Sequence, residues 1–174
     1  MTRQLAWRLW HAYPGHSDEL FSPMRSKAVK DMPIARWSKA SKHAECAINA
    51  NPHLQWNRHH EAPFENCACG IGAIPELSDV MTRYALLCSF AEKRTVDRFH
   101  FNTRPLVVVG TIRVSGKVID RLPHNTDVPE LRVQYARIRE LWLPGVGADI
   151  EQLKDALALR FRVPVHLGIP QESA

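Results

Sequence analysis

The chain has 174 residues, 45% of them hydrophobic and 24% charged, values that place it among ordinary globular sequences and exclude disorder as the state of the whole. The net charge is +5, from 23 basic and 18 acidic residues; this permits a polyanionic partner and is equally compatible with a plain solvated surface. No stretch approaches the length of an apolar membrane span, and the opening residues lack the apolar core of a signal peptide, so the expectation is one intracellular, cytoplasmic domain over 1–174.

Residues 5–10 alternate, with Leu5, Trp7 and Leu9 on one face, and read as a strand ended by Pro14-Gly15. From His16 to Ala44 no period is visible, and the stretch reads as an irregular excursion with one short helix, anchored to the core by Trp37. Pro75 to about Lys93 carries Leu77, Val80, Met81, Tyr84, Leu87 and Cys88 at helical spacing. Residues 106–114 are strongly β. Ser115-Gly116 is a turn or a bulge, so residues 117–122 either continue that strand or pair back as a new one. Leu131, Val133, Tyr135 and Arg137 mark a third strand, and Pro144-Gly145-Val-Gly147 breaks the chain. Ile150, Leu153, Leu157 and Phe161 form the stripe of a last helix. Val163, Val165 and Leu167 then alternate as a terminal strand, with Pro164 pointing to a sheet edge. The fold class is therefore α+β: a mostly antiparallel sheet, two sizeable helices and a zinc-stapled loop region.

That staple comes from the cysteines. Cys46, Cys67 and Cys69 lie in one irregular region with several histidines, whereas Cys88 sits in a helical stripe that suits core packing. Three thiols and an imidazole match the donor set of structural zinc. Either His59 or His60 supplies the fourth ligand, with His43 and His53 as weaker candidates. A metal would also supply folding free energy to a region with little apolar content. Catalytic zinc motifs with two helical histidines or a deaminase-type cysteine pair are missing, so a structural ion is favoured over an active centre using Glu61 or Glu65.

The stretch Cys46…His60-x-Ala62-Pro63…Cys67-x-Cys69-Gly70-Ile71-Gly72-Ala73 resembles a group of uncharacterised proteins of actinobacteria and their phages, which share A-x-C, H-x-A-P and C-x-C-G-I-Y-A. Weaker similarity touches Trp7-Arg8, 109–118 and 131–141. Gly72 stands where tyrosine is usual and Ser115 where tryptophan is usual. The resemblance implies Cys46, His60, Cys67 and Cys69 as the ligand set and carries no activity.

Phosphate-loop, dinucleotide and nucleophile-elbow motifs do not occur. Gly145-Val-Gly147 before a helix can offer amides to an anion but reads as a loop, and His124 near Asp127 reads as a polar turn. The densest basic segment is Arg25, Lys27, Lys30, Arg36, Lys39 and Lys42, with Trp37 among them. It suits a phosphate backbone and a stacked base, or else a solvated loop with Trp37 turned inward. Arg132, Arg137 and Arg139 either add to a positive sheet face or pair with Glu130 and Glu140. The expected function is a non-catalytic, zinc-stabilised nucleic-acid-binding or regulatory module, phage-related by the resemblance. The alternatives are a protein-interaction module anchored by Trp7, Trp10, Trp37, Trp56 and Trp142, and a zinc-dependent hydrolase.

Overall fold

A computed structural model describes residues 4–23, 35–46, 60–65, 67, 69–93, 101, 103–121 and 128–171. In chain order the elements are β1 (Gln4–Tyr13), β2 (Ser17–Phe21), β3 (Arg36–Trp37), β4 (Ser41–His43), β5 (Ile71–Ala73), α1 (Leu77–Lys93), β6 (Leu106–Arg121), β7 (Glu130–Leu143), α2 (Ala148–Phe161) and β8 (Val165–Leu167). All strand pairs are antiparallel except β7 with β8, which gives the expected α+β class.

The long strands β1, β6 and β7 form the spine, with β2 and β3 beyond β1 and with β4, β5 and β8 along the other edge of β7. One further backbone pair changes the shape of this sheet. Trp7 and Ile74 exchange N–H···O bonds of 2.7 and 2.8 Å, so the end of β5 returns to β1. The circuit β1–β6–β7–β5–β1 is thereby closed, which removes most of the free edge that a short β5 would leave.

Alternation along β1 feeds two cores. Ala6, Trp10 and Ala12 join the larger cluster, where Val108, Ile112, Ile138, Leu141 and Leu143 meet Leu153, Leu157 and Phe161 of α2. Leu9 joins Val107, Val109 and Ile74 in a second cluster, against Val80 and the apolar stripe of α1. Because successive strand side chains point to opposite faces, the two helices cover opposite faces of the sheet, α1 over β1 and β6 and α2 over β2, β7 and β8. The helical stripes are those read from the sequence, although α1 begins at Leu77, two residues after Pro75. Arg162 ends α2 in the left-handed region and donates its N–H to Ala158.

The structure decides the open point at Gly116. Strand β6 runs through it as a bulge, with the register to β7 shifting between Ser115 and Val118, and no new strand starts. It also corrects the reading of 16–44 as irregular. Three strands lie there, each between two and five residues long, and each takes its order from a neighbour. β2 pairs with the end of β1, β3 with β2, and β4 with the middle of β7. No α-helix lies among the described residues of this stretch, and residues 24–34 lie outside those described. β8 lies at the sheet edge as Pro164 suggested, pairing with β7 alone.

Candidate metal centre and basic sheet face

β4 and β5 occupy one line along the same edge of β7. Ser41, Lys42 and His43 face Arg137, Ala136 and Tyr135, while Ile71, Gly72 and Ala73 face Val133, Arg132 and Leu131. Both run antiparallel to β7, so they act as one edge strand interrupted at Gln134. The chain leaves after Ala44, whose N–H donates to Gln134 O at 2.7 Å, and re-enters at Ile71. Cys46 sits on the departing limb and Cys69 on the returning one. The register of β7 therefore brings together two cysteines that sequence alone leaves far apart.

His60 and Cys67 complete the cluster. The ligand atoms of Cys46, His60, Cys67 and Cys69 all lie within 4.8 Å of one another. Cys46 Sγ is 3.7 Å from Cys67 Sγ, and His60 Nε2 is 3.3 Å from Cys69 Sγ. All four cysteines of the chain are free thiols. Local contacts fix these donors: the His60 ring stacks on Phe64 at 4.6 Å, and the Cys67 N–H donates to Phe64 O at 3.0 Å. Gly70 follows Cys69 for a steric reason. Its φ is +110°, and a Cβ there would lie 2.9 Å from Pro63 Cβ and 3.1 Å from Arg132 Cβ.

The cluster adjoins the main core, with Cys46 and Cys69 only 4% and 8% exposed. Burial, then a hydrogen bond with Cys67 and the neighbouring thiols, push the Cys69 thiol up to about 12. That burial and those neighbours oppose the Cys69 thiolate, and a cation beside it reverses the balance. Soft thiolates with one imidazole suit a borderline or soft transition-metal ion, so these four residues could hold a metal. His43 is outside the cluster, stacked on Tyr135; His53 and His59 lie outside the described residues. Cys88 packs in the α1 stripe, as its spacing predicts. Glu61 is adjacent but accepts a hydrogen bond from Gln134 Nε2, and neither it nor exposed Glu65 belongs to the donor set.

The basic segment is divided by the fold. Arg25, Lys27 and Lys30 lie outside the described residues. Arg36 and Lys39 are exposed, with the Arg36 guanidinium 6.0 Å from the Phe21 ring. Trp37 is a correction to the base-stacking role. It is 1% exposed, edge-on to Trp10 at 5.5 Å and 5.3 Å from the guanidinium of half-buried Arg8, and its Nε1 donates to Ser22 Oγ. A ring enclosed in this way cannot receive a base. Lys42 also turns toward Trp37 and donates to Arg36 O; burial, and then the Arg8 charge, push its ammonium down to about 8. The tryptophan anchors for a protein partner meet a similar fate. Trp10 is fully buried, and Trp7 and Trp142 are half-buried against each other at 5.6 Å; Trp56 lies outside the described residues.

The arginines of β7 split between the two expected roles. Arg132 pairs with Glu130 at 3.4 Å, beside Arg8. A side chain at Gly72 would meet the Glu130 carboxylate and the guanidiniums of Arg132 and Arg8. Arg137 and Arg139 are exposed, and Arg137 stands directly opposite Arg113 on β6. Among the described residues none of Arg113, Arg137 and Arg139 makes an ion pair. Two residues along, on the same face, lies the exposed His43–Tyr135 ring stack. Sequence reading missed Arg113, His43 and Tyr135 as one surface, because only the register makes them neighbours. The glycine-rich approach to α2 has no side-chain cap and carries Asp149 and Glu151 in the first turn, which fits a loop better than an anion site. No helix among the described residues is long and apolar enough to cross a membrane. Comparison with known proteins finds no matching family model, no matching curated protein and no matching solved structure.

Proposed function

We propose that the chain is a non-catalytic nucleic-acid-binding module whose interrupted edge strand is stapled by one structural zinc ion. The donor geometry supports the zinc. A tetrahedral ion with Zn–S near 2.3 Å and Zn–N near 2.0 Å sets S···S at about 3.8 Å and N···S at about 3.6 Å. The pairs here stand at 3.7 and 3.3 Å. Four protein donors complete that shell, the arrangement of a structural site, whereas a hydrolytic site keeps a position open for water. The kinship with actinobacterial and actinophage proteins belongs to the same proposal, since its motif residues Cys46, His60, Pro63, Cys67, Cys69 and Gly70 meet at one place.

The observation that carries the nucleic-acid reading is the Arg113–Arg137 pair. Like charges directly opposite on neighbouring strands destabilise a sheet, and here no carboxylate among the described residues relieves them. Arg139 adds a third charge, exposed like Arg137 while Arg113 is half-buried, and the backbone bond from Ile138 N–H to Ala40 O brings exposed Lys39 to the same edge. A phosphate backbone compensates such a cluster and releases counterions as it does so. The test is fluorescence anisotropy with DNA and RNA oligonucleotides over a salt series. Four phosphate contacts give a slope of log affinity on log salt of about −3, and Arg137→Gln reduces its magnitude by about 1. Absence of binding at low salt, or binding indifferent to salt, overturns the proposal.

A further inference from the structure

Resting on the nucleic-acid reading, we propose that the exposed His43–Tyr135 stack is a platform for an unpaired base, and hence that the ligand is single-stranded nucleic acid. The two rings are cross-strand partners on β4 and β7, 4.6 Å apart between centroids and inclined by only 15°. Both residues are exposed, Tyr135 at 43%. Aromatic pairs inside proteins are buried on most sides; a near-parallel pair at the surface presents a flat outer face to the solvent. That face matches the surface of a base, which stacks on aromatic side chains irrespective of its identity.

The platform is held rigidly from both strands. At the bulge in β6, Gly116 has φ +81°, and a Cβ there would lie 2.6 Å from Tyr135 Cδ2, so bare backbone lies against the tyrosine ring. On β4, His43 is fixed by its own pairing and by the Ala44 N–H bond to Gln134, three residues before the metal ligand Cys46. A platform ordered before binding pays little conformational entropy when a base arrives.

Charge is placed to match. Arg137 follows Tyr135 by two residues on the same face, about 7 Å along the strand, and Arg113 lies opposite it. This offset is on the scale of one nucleotide, so a base on the stack brings its own or a neighbouring phosphate to the arginines. A duplex engages the arginines through its phosphates but keeps its bases stacked internally, out of reach of the rings. Single strands therefore gain from both features, and duplexes from one.

The experiment compares, in metal-loaded full-length protein, a labelled oligothymidylate of about 20 nucleotides with a duplex of the same length at equal salt. The expected result is tighter binding of the single strand. His43→Ala and Tyr135→Ala then each weaken it by about 5- to 100-fold, with the salt slope and the duplex affinity unchanged. Tyr135→Phe retains the ring and restores binding. Unchanged metal content and urea midpoint in the variants separate loss of the platform from loss of the fold. Equal affinity for both oligonucleotides, or single-strand binding indifferent to His43→Ala and Tyr135→Ala, overturns the platform and leaves the broader reading standing. Binding of neither oligonucleotide removes the broader reading, and the platform with it.

Discussion

Removing the metal should loosen one edge of the sheet by an amount that the geometry sets. The departing Cys46 and the returning Cys67 and Cys69, which could hold a metal together, bracket the interruption between β4 and β5. Cross-linking a loop of about 20 residues withdraws about 3 kcal/mol of entropy from the unfolded chain. The relevant perturbation is Cys67→Ser, or chelation of the wild type. Equilibrium unfolding in urea, with a slope of about 2 kcal/mol/M, should then show a midpoint lower by about 1.5 M. Hydrogen exchange places the effect. The amide of Ala44 and those of β4 and β5 should lose protection, while β1 and β6, which do not depend on the staple for their pairing, keep it. An unmoved midpoint, or a loss of protection spread evenly over the sheet, would refute the assignment of the cluster as a staple.

Gly70→Ala forces a Cβ to 2.9 Å from Pro63 in a backbone region costly for any side chain; it should destabilise by about 1–3 kcal/mol and weaken metal affinity, measured by competition with a chromogenic chelator. Leu157→Ala, at a fully buried site where α2 meets the larger core, should cost about 2–5 kcal/mol in urea unfolding without changing metal content. Lys42 supplies a pH test. Its folded-state value of about 8 lies below the ordinary lysine value of 10.5, so the unfolded chain binds more protons between them. Stability contributed by this group therefore rises as pH increases from about 8 to about 10.5. Allowing for solvent screening, the difference between wild type and Lys42→Met over that window should be about 1–2 kcal/mol, and a flat difference would contradict the half-buried placement of the ammonium beside Trp37.

The parts of this account legible in the sequence are those where chemistry restricts the residue type. Thiols and imidazole have few substitutes as soft ligands, so Cys46, Cys67 and Cys69 stood out without any fold, although spacing alone left His59 and His60 equal. The helices were legible because α1 and α2 each bury one stripe over many turns. The inward turn of Trp37 was also readable, as the usual fate of a lone aromatic among polar residues. What escaped was set by partners. β2, β3 and β4 are too short to show a period, and they exist because β1 and β7 offer them unpaired backbone. The closure of the sheet rests on one residue pair, Trp7 with Ile74, which leaves no mark on either sequence neighbourhood. The positive face escaped for the same reason. A scan along the chain finds the dense segment from Arg25 to Lys42, whereas the register places Arg113 beside Arg137 and His43 beside Tyr135.

Whether Cys46, His60, Cys67 and Cys69 hold one zinc ion is decided by elemental analysis joined to native mass spectrometry of freshly purified protein. One zinc per chain is expected, retained through dialysis and lost in Cys67→Ser and in His60→Ala, while Cys88→Ser keeps it. Protein that carries well under one zinc per chain, or that keeps its zinc in Cys67→Ser, would contradict it.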